Sequence, residues 1–186
     1  MRCFIAIDID QPLRREIARL QDDLRRQVDV KSSEAKWVEP DNIHLTLKFL
    51  GEVRDREITD VCRLLEQTAA DHPPFSLDVQ GVGTFGRPAR VLWIGIAPHD
   101  ALAALQQDLD QRLADAGWPK DEKKFSAHLT LCRIKSPRAA KAIQNAASNR
   151  AVQQLGSVSV DSVCVYKSDL TSTGPLYTLI SRSMLE

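Results

Sequence analysis

The chain alternates between short apolar runs and stretches whose hydrophobic residues recur at helical spacing. Residues 2–9 hold Cys3, Phe4, Ile5, Ala6, Ile7 and Ile9, the pattern of a buried strand. Pro12 stands where a helix can begin, and Leu13, Ile17, Leu20 and Leu24 follow on one helical face. Residues 29–41 are polar and loop-like, with Trp37 and Val38 able to form a short strand. The run from Ile43 to Leu50 predicts a strand ended by Gly51. Ile58, Val61, Cys62, Leu64 and Leu65 then predict a helix across 55–70, closed by Pro73 and Pro74.

The same grammar fills the second half. A strand opens at Phe75, and residues 91–97 read as another. Leu102, Leu105, Leu109 and Leu113 mark a helix across 100–116, stopped by Gly117 and Pro119. Residues 127–134 predict a strand, and 137–148 an Ala-rich helix entered at Pro137. Residues 157–168 read as one long alternating strand, and a last strand follows Gly174. Strands and helices mix without the strict alternation of a doubly wound sheet. The expected class is α+β, with two antiparallel-rich sheets and helices outside them.

Composition narrows the picture. A chain of 186 residues fits one domain or two small lobes sharing a core, and a hydrophobic share of 43% supplies that core. Lys and Arg total 25, as do Asp and Glu, so the formal charge is zero. That balance argues against a general nucleic-acid coat, which needs an excess of cations to neutralise phosphates, but leaves room for a locally basic cleft. The cysteines, Cys3, Cys62, Cys132 and Cys164, include no CxxC pair. Cys3, Cys132 and Cys164 lie in apolar strand-like runs and are expected to be reduced and buried, as suits a cytoplasmic protein. No signal-peptide pattern or bilayer-length apolar window is present, so neither secretion nor membrane insertion is expected. Nothing points to an oligomer, and a monomer is expected.

One pattern carries chemistry because it occurs twice. His44-Leu45-Thr46-Leu47 and His128-Leu129-Thr130-Leu131 are identical tetrapeptides, each in a predicted strand followed by a helix. Such a repeat suggests two related halves. Residues i and i+2 of a strand share a face, so each His–Thr pair points one way and the leucines point into the core. A pseudo-twofold between the halves would bring two imidazoles and two hydroxyls to one cleft. Opening a cyclic phosphodiester needs a base to activate water and an acid to protonate the departing ribose oxygen. Imidazole serves either role near neutral pH. The threonine hydroxyls can donate to non-bridging phosphate oxygens. This chemistry needs neither metal nor cofactor.

The doubled motif, extended as HLTLKFLGEV and HLTLCRI, resembles the 2H phosphoesterase superfamily, and within it the RNA 2′,3′-cyclic phosphodiesterase branch, also called 2′-5′ RNA ligase. The segments RCFIAIDI, FGRPARVLWIGI and VCVYKSDLTSTGPLYT agree, so the likeness spans nearly the whole chain. It implies one bilobal domain over 1–186, with HxTx motifs at 44–47 and 128–131 and the cleft between the lobes. It implies hydrolysis of RNA 2′,3′-cyclic ends to 2′-phosphomonoesters, with reversible 2′-5′ joining of RNA ends. It makes His44 the proton donor and His128 the acceptor, roles that the identical tetrapeptides do not distinguish. Arg133 matches the family's phosphate-binding arginine. Ideal strand parity puts Arg133 opposite His128, so a bulge, a twist or a long reach is required.

Other readings stay open. The substrate could instead be a small cyclic nucleotide or an ADP-ribose cyclic phosphate, or the chain could bind RNA ends without turnover. His128, Cys132 and His44 could form a metal site, although no close ligand pair supports one. Phe49, Phe85, Trp93 and Tyr177 are candidates for base stacking or plain core packing. Parity places Lys48 on the His44 face and Phe49 on the opposite one. Arg87, Arg90, Lys120, Lys123 and Lys124 could line an RNA path or face solvent, and His72 and His99 read as loop residues.

Overall fold

The structure is a computed structural model that describes residues 1–151, 153–172 and 174–186. Its strands are β1 (Arg2–Asp8), β2 (Ala35–Trp37), β3 (His44–Glu52), β4 (Phe75–Phe85), β5 (Val91–Ile96), β6 (His128–Ile134), β7 (Gln154–Val160), β8 (Ser162–Leu170) and β9 (Pro175–Met184). Its helices are α1 (Gln11–Gln27), α2 (Ile58–Ala70), α3 (Asp100–Asp115) and α4 (Pro137–Ser148). The strands pair in the order β7-β4-β5-β6-β3-β1-β8-β9, with β2 added to β6, and the pairings are antiparallel. Read outward from its centre, this order is symmetric: β6 corresponds to β3, β5 to β1, β4 to β8 and β7 to β9. The strands form one nine-stranded sheet, and the two sheets expected from the sequence are its halves, joined at the pairing of Leu45 with Leu129.

Local sequence sets each helix. Asp10 caps α1 by accepting from the Leu13 N–H at 2.9 Å, Pro12 stands in the first turn, and Leu13, Ile17, Leu20 and Leu24 are buried. Ser136 caps α4 in the same way through the Ala139 N–H, and the helix packs through small alanines around Ile143. The helices cross between halves. α1 leaves β1 but packs on β7 and α4, whereas α3 leaves β5 but packs on β3 and α2. Each half therefore supplies part of the floor beneath the other half's central strand. No helix among the described residues is long and apolar enough to cross a membrane.

Two boundaries differ from expectation. β3 continues past Gly51 to Glu52, because Gly51 adopts a left-handed φ of 68° that keeps the strand paired, Cys3 with Gly51 and Arg2 with Glu52. The run 157–168 is two strands, β7 and β8, separated at Asp161 and lying in different halves of the sheet. The apolar phase changes there, from Val158 and Val160 to Val163 and Val165, and β8 is buried on both faces through Ser162–Val165. Cys3, Cys62, Cys132 and Cys164 are free thiols, all but Cys62 fully buried. Burial pushes the Cys132 thiol up to about 12, so it behaves as a packing residue.

Candidate active site

The fusion of the two sheets fixes the geometry of the repeated motif. Leu45 and Leu129 pair across β3 and β6, and both are buried on the core side with Leu47 and Leu131. His44, Thr46, His128 and Thr130 therefore share the opposite face, each only partly buried. Antiparallel register puts His44 level with Thr130 and Thr46 level with His128. The histidines become diagonal neighbours, a relation that spans about 7–8 Å between backbones. A phosphate group fits between imidazoles at that separation. Neither threonine hydroxyl is engaged in a hydrogen bond among the described residues.

Each central strand then bulges at the same place. On β3, Thr46 pairs with Ala6 and Lys48 with Ile5, leaving Leu47 as the extra residue. On β6, Thr130 pairs with Trp93 and Cys132 with Leu92, leaving Leu131. A one-residue bulge reverses the parity of everything after it. Arg133 thus lies on the His128 face with its guanidinium exposed, and Phe49 lies on the His44 face, 60% exposed. The parity expectations for Phe49 and Lys48 are both overturned. Lys48 points into the floor, 3% exposed, where its Nζ reaches Asp110 Oδ1 at 2.6 Å, the Pro119 carbonyl at 2.8 Å and Asp121 at 3.2 Å. Cys132 likewise turns into the core, so it does not join His128 and His44 in a shared donor set.

The crossing helices hold these bulges from below. The buried amide of Gln21 on α1 donates to the Leu131 carbonyl at 3.0 Å and the Val38 carbonyl at 2.8 Å. Asp110 on α3 does the equivalent work through Lys48. The signal for both bulges is in the sequence. Apolar residues occupy odd positions at Leu45 and Leu47 and then even Leu50; Leu129 and Leu131 are followed by Ile134.

Both imidazoles are oriented by the carbonyl two residues earlier. His44 Nδ1 lies 2.8 Å from the Asn42 oxygen, and His128 Nδ1 lies 2.7 Å from the Ser126 oxygen. A carbonyl only accepts, so Nδ1 carries the hydrogen and Nε2 of each ring is the nitrogen left to take up a proton. Their surroundings differ. Phe4 stacks on His44 at 4.6 Å and Tyr177 meets it edge-on at 5.3 Å, whereas His128 has the edge of Phe85 at 4.9 Å. Burial among these rings lowers the His44 pKa from 6.5 to about 4. The Asn42 carbonyl and Asp8 oppose that shift, and Arg133 adds to it. Arg133 also partly offsets the upward push of burial on the Tyr177 hydroxyl, so its charge reaches the His44 side of the cleft. Lys36 pairs with Arg133 across β2 and β6, placing two cations on the rim.

The remaining candidates scatter. Phe85 and Trp93 lie beside His128 and Thr130, and Tyr177 beside His44. Lys120 hydrogen-bonds Gln111, and Arg87, Arg90, Lys123 and Lys124 are exposed. His72 pairs with Asp108 at 3.1 Å, and His99 stacks on Phe75. The packing of Phe4 on His44 and the anchoring role of Lys48 had no counterpart in strand parity.

Comparison with known proteins agrees with this geometry. A family model described as the 2′-5′ RNA ligase superfamily matches residues 9–171. A protein of Methanothermobacter thermautotrophicus named RNA 2′,3′-cyclic phosphodiesterase is 32% identical over 180 residues, covering 96% of this chain and 95% of its own. A Thermotoga maritima protein of the same name is 33% identical over 189 residues, covering 100% and 96%. Among solved structures, a Thermus thermophilus protein superimposes with a TM-score of 0.82 at 26% identity, covering 100% of this chain and 98% of that one. Escherichia coli LigT complexed with 3′-AMP gives 0.79 at 26% identity, covering 99% and 97%. The chain belongs to the 2′-5′ RNA ligase superfamily.

Proposed function

We propose that this protein opens 2′,3′-cyclic phosphates at RNA ends to 2′-phosphomonoesters by two-histidine acid–base catalysis, with the whole chain acting as one bilobal unit. The observation that carries the reading is the common face of His44, Thr46, His128 and Thr130 at the junction of the two sheets. Relatives named RNA 2′,3′-cyclic phosphodiesterase support the substrate class.

The cyclic phosphate lies between the two Nε2 atoms. The hydroxyls of Thr46 and Thr130 donate to its non-bridging oxygens, and the Arg133 guanidinium balances their charge. His128 Nε2 takes a proton from the attacking water. His44 Nε2 gives one to the ribose O3′ as its bond to phosphorus breaks, leaving the phosphate on O2′.

An acid with a pKa of about 4 is neutral in the empty cleft at pH 7. The substrate supplies the remedy. A single negative charge about 4 Å away, at an effective dielectric of about 20, favours the imidazolium by about 4 kcal/mol, or about three pKa units. The phosphate therefore loads its own acid, while water in the empty site meets a neutral ring. Phe49, exposed on the same face, offers a stacking surface for the terminal base. The reading includes a monomer in the cytoplasm, a reducing compartment that suits the free, buried thiols of Cys3, Cys132 and Cys164.

The test uses an RNA oligonucleotide ending in a 2′,3′-cyclic phosphate, incubated with the protein in EDTA. The expected product is the 2′-phosphate, with His44→Ala and His128→Ala each lowering the rate by about 10²–10⁴-fold. A rate within about tenfold of wild type in either variant overturns the reading. Tight binding without turnover would make the protein an RNA-end binding module, and faster cleavage of cyclic mononucleotides would make it a small-molecule enzyme.

A further inference from the structure

The two histidines stand at equivalent positions of a nearly symmetric sheet, so a difference between them comes from what flanks each ring. In the order β5-β6-β3-β1, each histidine strand has the other central strand on its inner side and an outer strand on its far side. The phosphate belongs on the inner side of both rings. On the outer side, His44 pairs with Asp8 of β1, and His128 pairs with Gly95 of β5. The same address in the two halves thus holds a carboxylate once and no side chain the other time. Gly95 has no room for one: an added Cβ would lie 2.9 Å from the Gln80 carbonyl oxygen and 3.2 Å from the Trp93 ring.

Asp8 is held in place by a set of donors. Its carboxylate accepts from the Tyr166 hydroxyl at 2.8 and 2.9 Å, from Arg182 Nη2 at 2.9 Å and from the Cys164 thiol at 3.7 Å. Arg182 is fixed in turn by donating to Ser162 Oγ at 3.1 Å. Burial pushes the Tyr166 hydroxyl up and the Cys164 thiol up to about 11, so both keep their hydrogens for the carboxylate. These partners come from β8 and β9, on the side of β1 away from the phosphate. Residues directly opposite across an antiparallel pair have Cβ atoms about 4.5–5.5 Å apart, close enough for the Asp8 charge to act on the His44 ring. Its effect opposes the shift that burial imposes there, whereas Arg14 of α1 and Arg133 of β6 act with burial. Tyr177 of β9 presents a hydroxyl that burial keeps neutral. Asp8 and His44 also share the wall of a cavity of about 450 Å³ with Asp10, Asp41 and Asp161. Of these, Asp10 caps α1 and Asp161 accepts from Ser162.

We propose that Asp8 is the positioning residue that makes His44, rather than His128, the proton donor, by holding a fixed negative charge on the outer side of its ring. This rests on the phosphodiesterase reading above. When the phosphate enters, the His44 imidazolium lies between two anions, the substrate on the β6 side and Asp8 on the β1 side. His128 has only the substrate, because Gly95 supplies no second charge, and it is left to take the proton of the attacking water. As the P–O3′ bond breaks, the proton passes from His44 Nε2 to O3′ and the ring returns to neutral. Asp8 exchanges no proton and keeps its contacts with Tyr166 and Arg182 throughout.

The test follows the His44 ring nuclei by NMR in the full chain with saturating inorganic phosphate, and measures turnover of 2′,3′-cyclic AMP to 2′-AMP. Asp8→Asn keeps the shape and removes the charge. It should lower the His44 midpoint by about one pH unit and, at about pH 8, cut kcat by about three- to tenfold with KM within about twofold. Arg182→Gln removes the countercharge and should move the midpoint the other way, upward by about half a unit. Both should leave the His128 ring signals in place. Opposite movement is the mark of charge, since a merely structural loss of the Asp8–Arg182 pair would act in one direction in both variants. A His44 midpoint that does not fall in Asp8→Asn, or that falls in Arg182→Gln as well, overturns the proposal. So does a rise in KM with kcat unchanged in Asp8→Asn, which makes Asp8 a substrate contact on the cavity wall. If Asp8→Asn does not fold, the direction of the Arg182→Gln shift decides. Wild-type protein that releases no 2′-AMP overturns the parent reading, and this one with it.

Discussion

Phe49 and Arg133 occupy equivalent positions on the two central strands, five residues after His44 and His128, and matching bulges turn both onto the histidine face. The pseudo-symmetry thus places different chemistry at the same address. One end of the cleft has an exposed aromatic ring, the other an exposed guanidinium. A nearly symmetric scaffold becomes an asymmetric site, as expected for a substrate with a base on one side of its phosphate and a charge to balance on the other.

Arg133 should matter through its planar, charged hydrogen bonds. Arg133→Gln is expected to lower kcat/KM for a cyclic phosphate by about 10–100-fold, the loss of about 1.5–3 kcal/mol of charge-assisted bonding. Arg133→Lys restores the charge without the fork and should recover only part of the loss. Steady-state assays of the three proteins at fixed salt give the comparison. Full recovery by lysine would mean that only a point charge is needed.

Phe49→Ala should act on binding. Base–aromatic stacking is worth about 1–3 kcal/mol, so KM for an oligonucleotide should rise about tenfold with kcat little changed. Because Phe49 is exposed, its removal should leave the unfolding midpoint in urea within error of wild type. A fall in stability would show that the ring packs rather than binds.

Lys48 ties the β3 bulge to α3, and breaking that tie should be costly. Asp110→Ala leaves the buried ammonium with the Pro119 carbonyl and the half-exposed Asp121, and is expected to destabilise by about 3 kcal/mol. Lys48→Met/Asp110→Leu replaces the pair with apolar side chains and should recover most of that loss. Urea unfolding of the single and double variants checks the coupling. Additive effects would show that the pair does not hold the bulge.

The His44 environment predicts an unusual titration. In the empty protein its imidazole should protonate near pH 4, because burial beside Phe4 and Tyr177 penalises the charged ring. Tyr177→Ala admits water and should move the midpoint upward, toward 6.5. Inorganic phosphate should also move it upward, since an anion favours imidazolium. NMR of the ring nuclei follows both shifts. A midpoint that ignores phosphate would remove the substrate-loaded acid from the mechanism.

Much of this site was legible in the chain. The repeated His-x-Thr-x pattern marked the catalytic candidates, and their alternation with leucine gave the shared face, because strand parity is a local property. The helices followed from caps and apolar spacing at Asp10, Pro12, Ser136 and Pro137. Parity alone failed past Leu47 and Leu131, where bulges exchanged the faces of Lys48 and Phe49 and brought Arg133 into the cleft. The stacking of Phe4 on His44 and the exchange of α1 and α3 between halves are long-range outcomes of packing, which no local pattern encodes.

The most direct measurement is a crystal structure of the protein with a 2′-mononucleotide bound. The account predicts a phosphate between His44 Nε2 and His128 Nε2, hydrogen-bonded to Thr46 and Thr130, with the ribose O3′ on the His44 side. A nucleotide seated elsewhere, or two Nε2 atoms aimed away from one another with the phosphate touching neither, would contradict it.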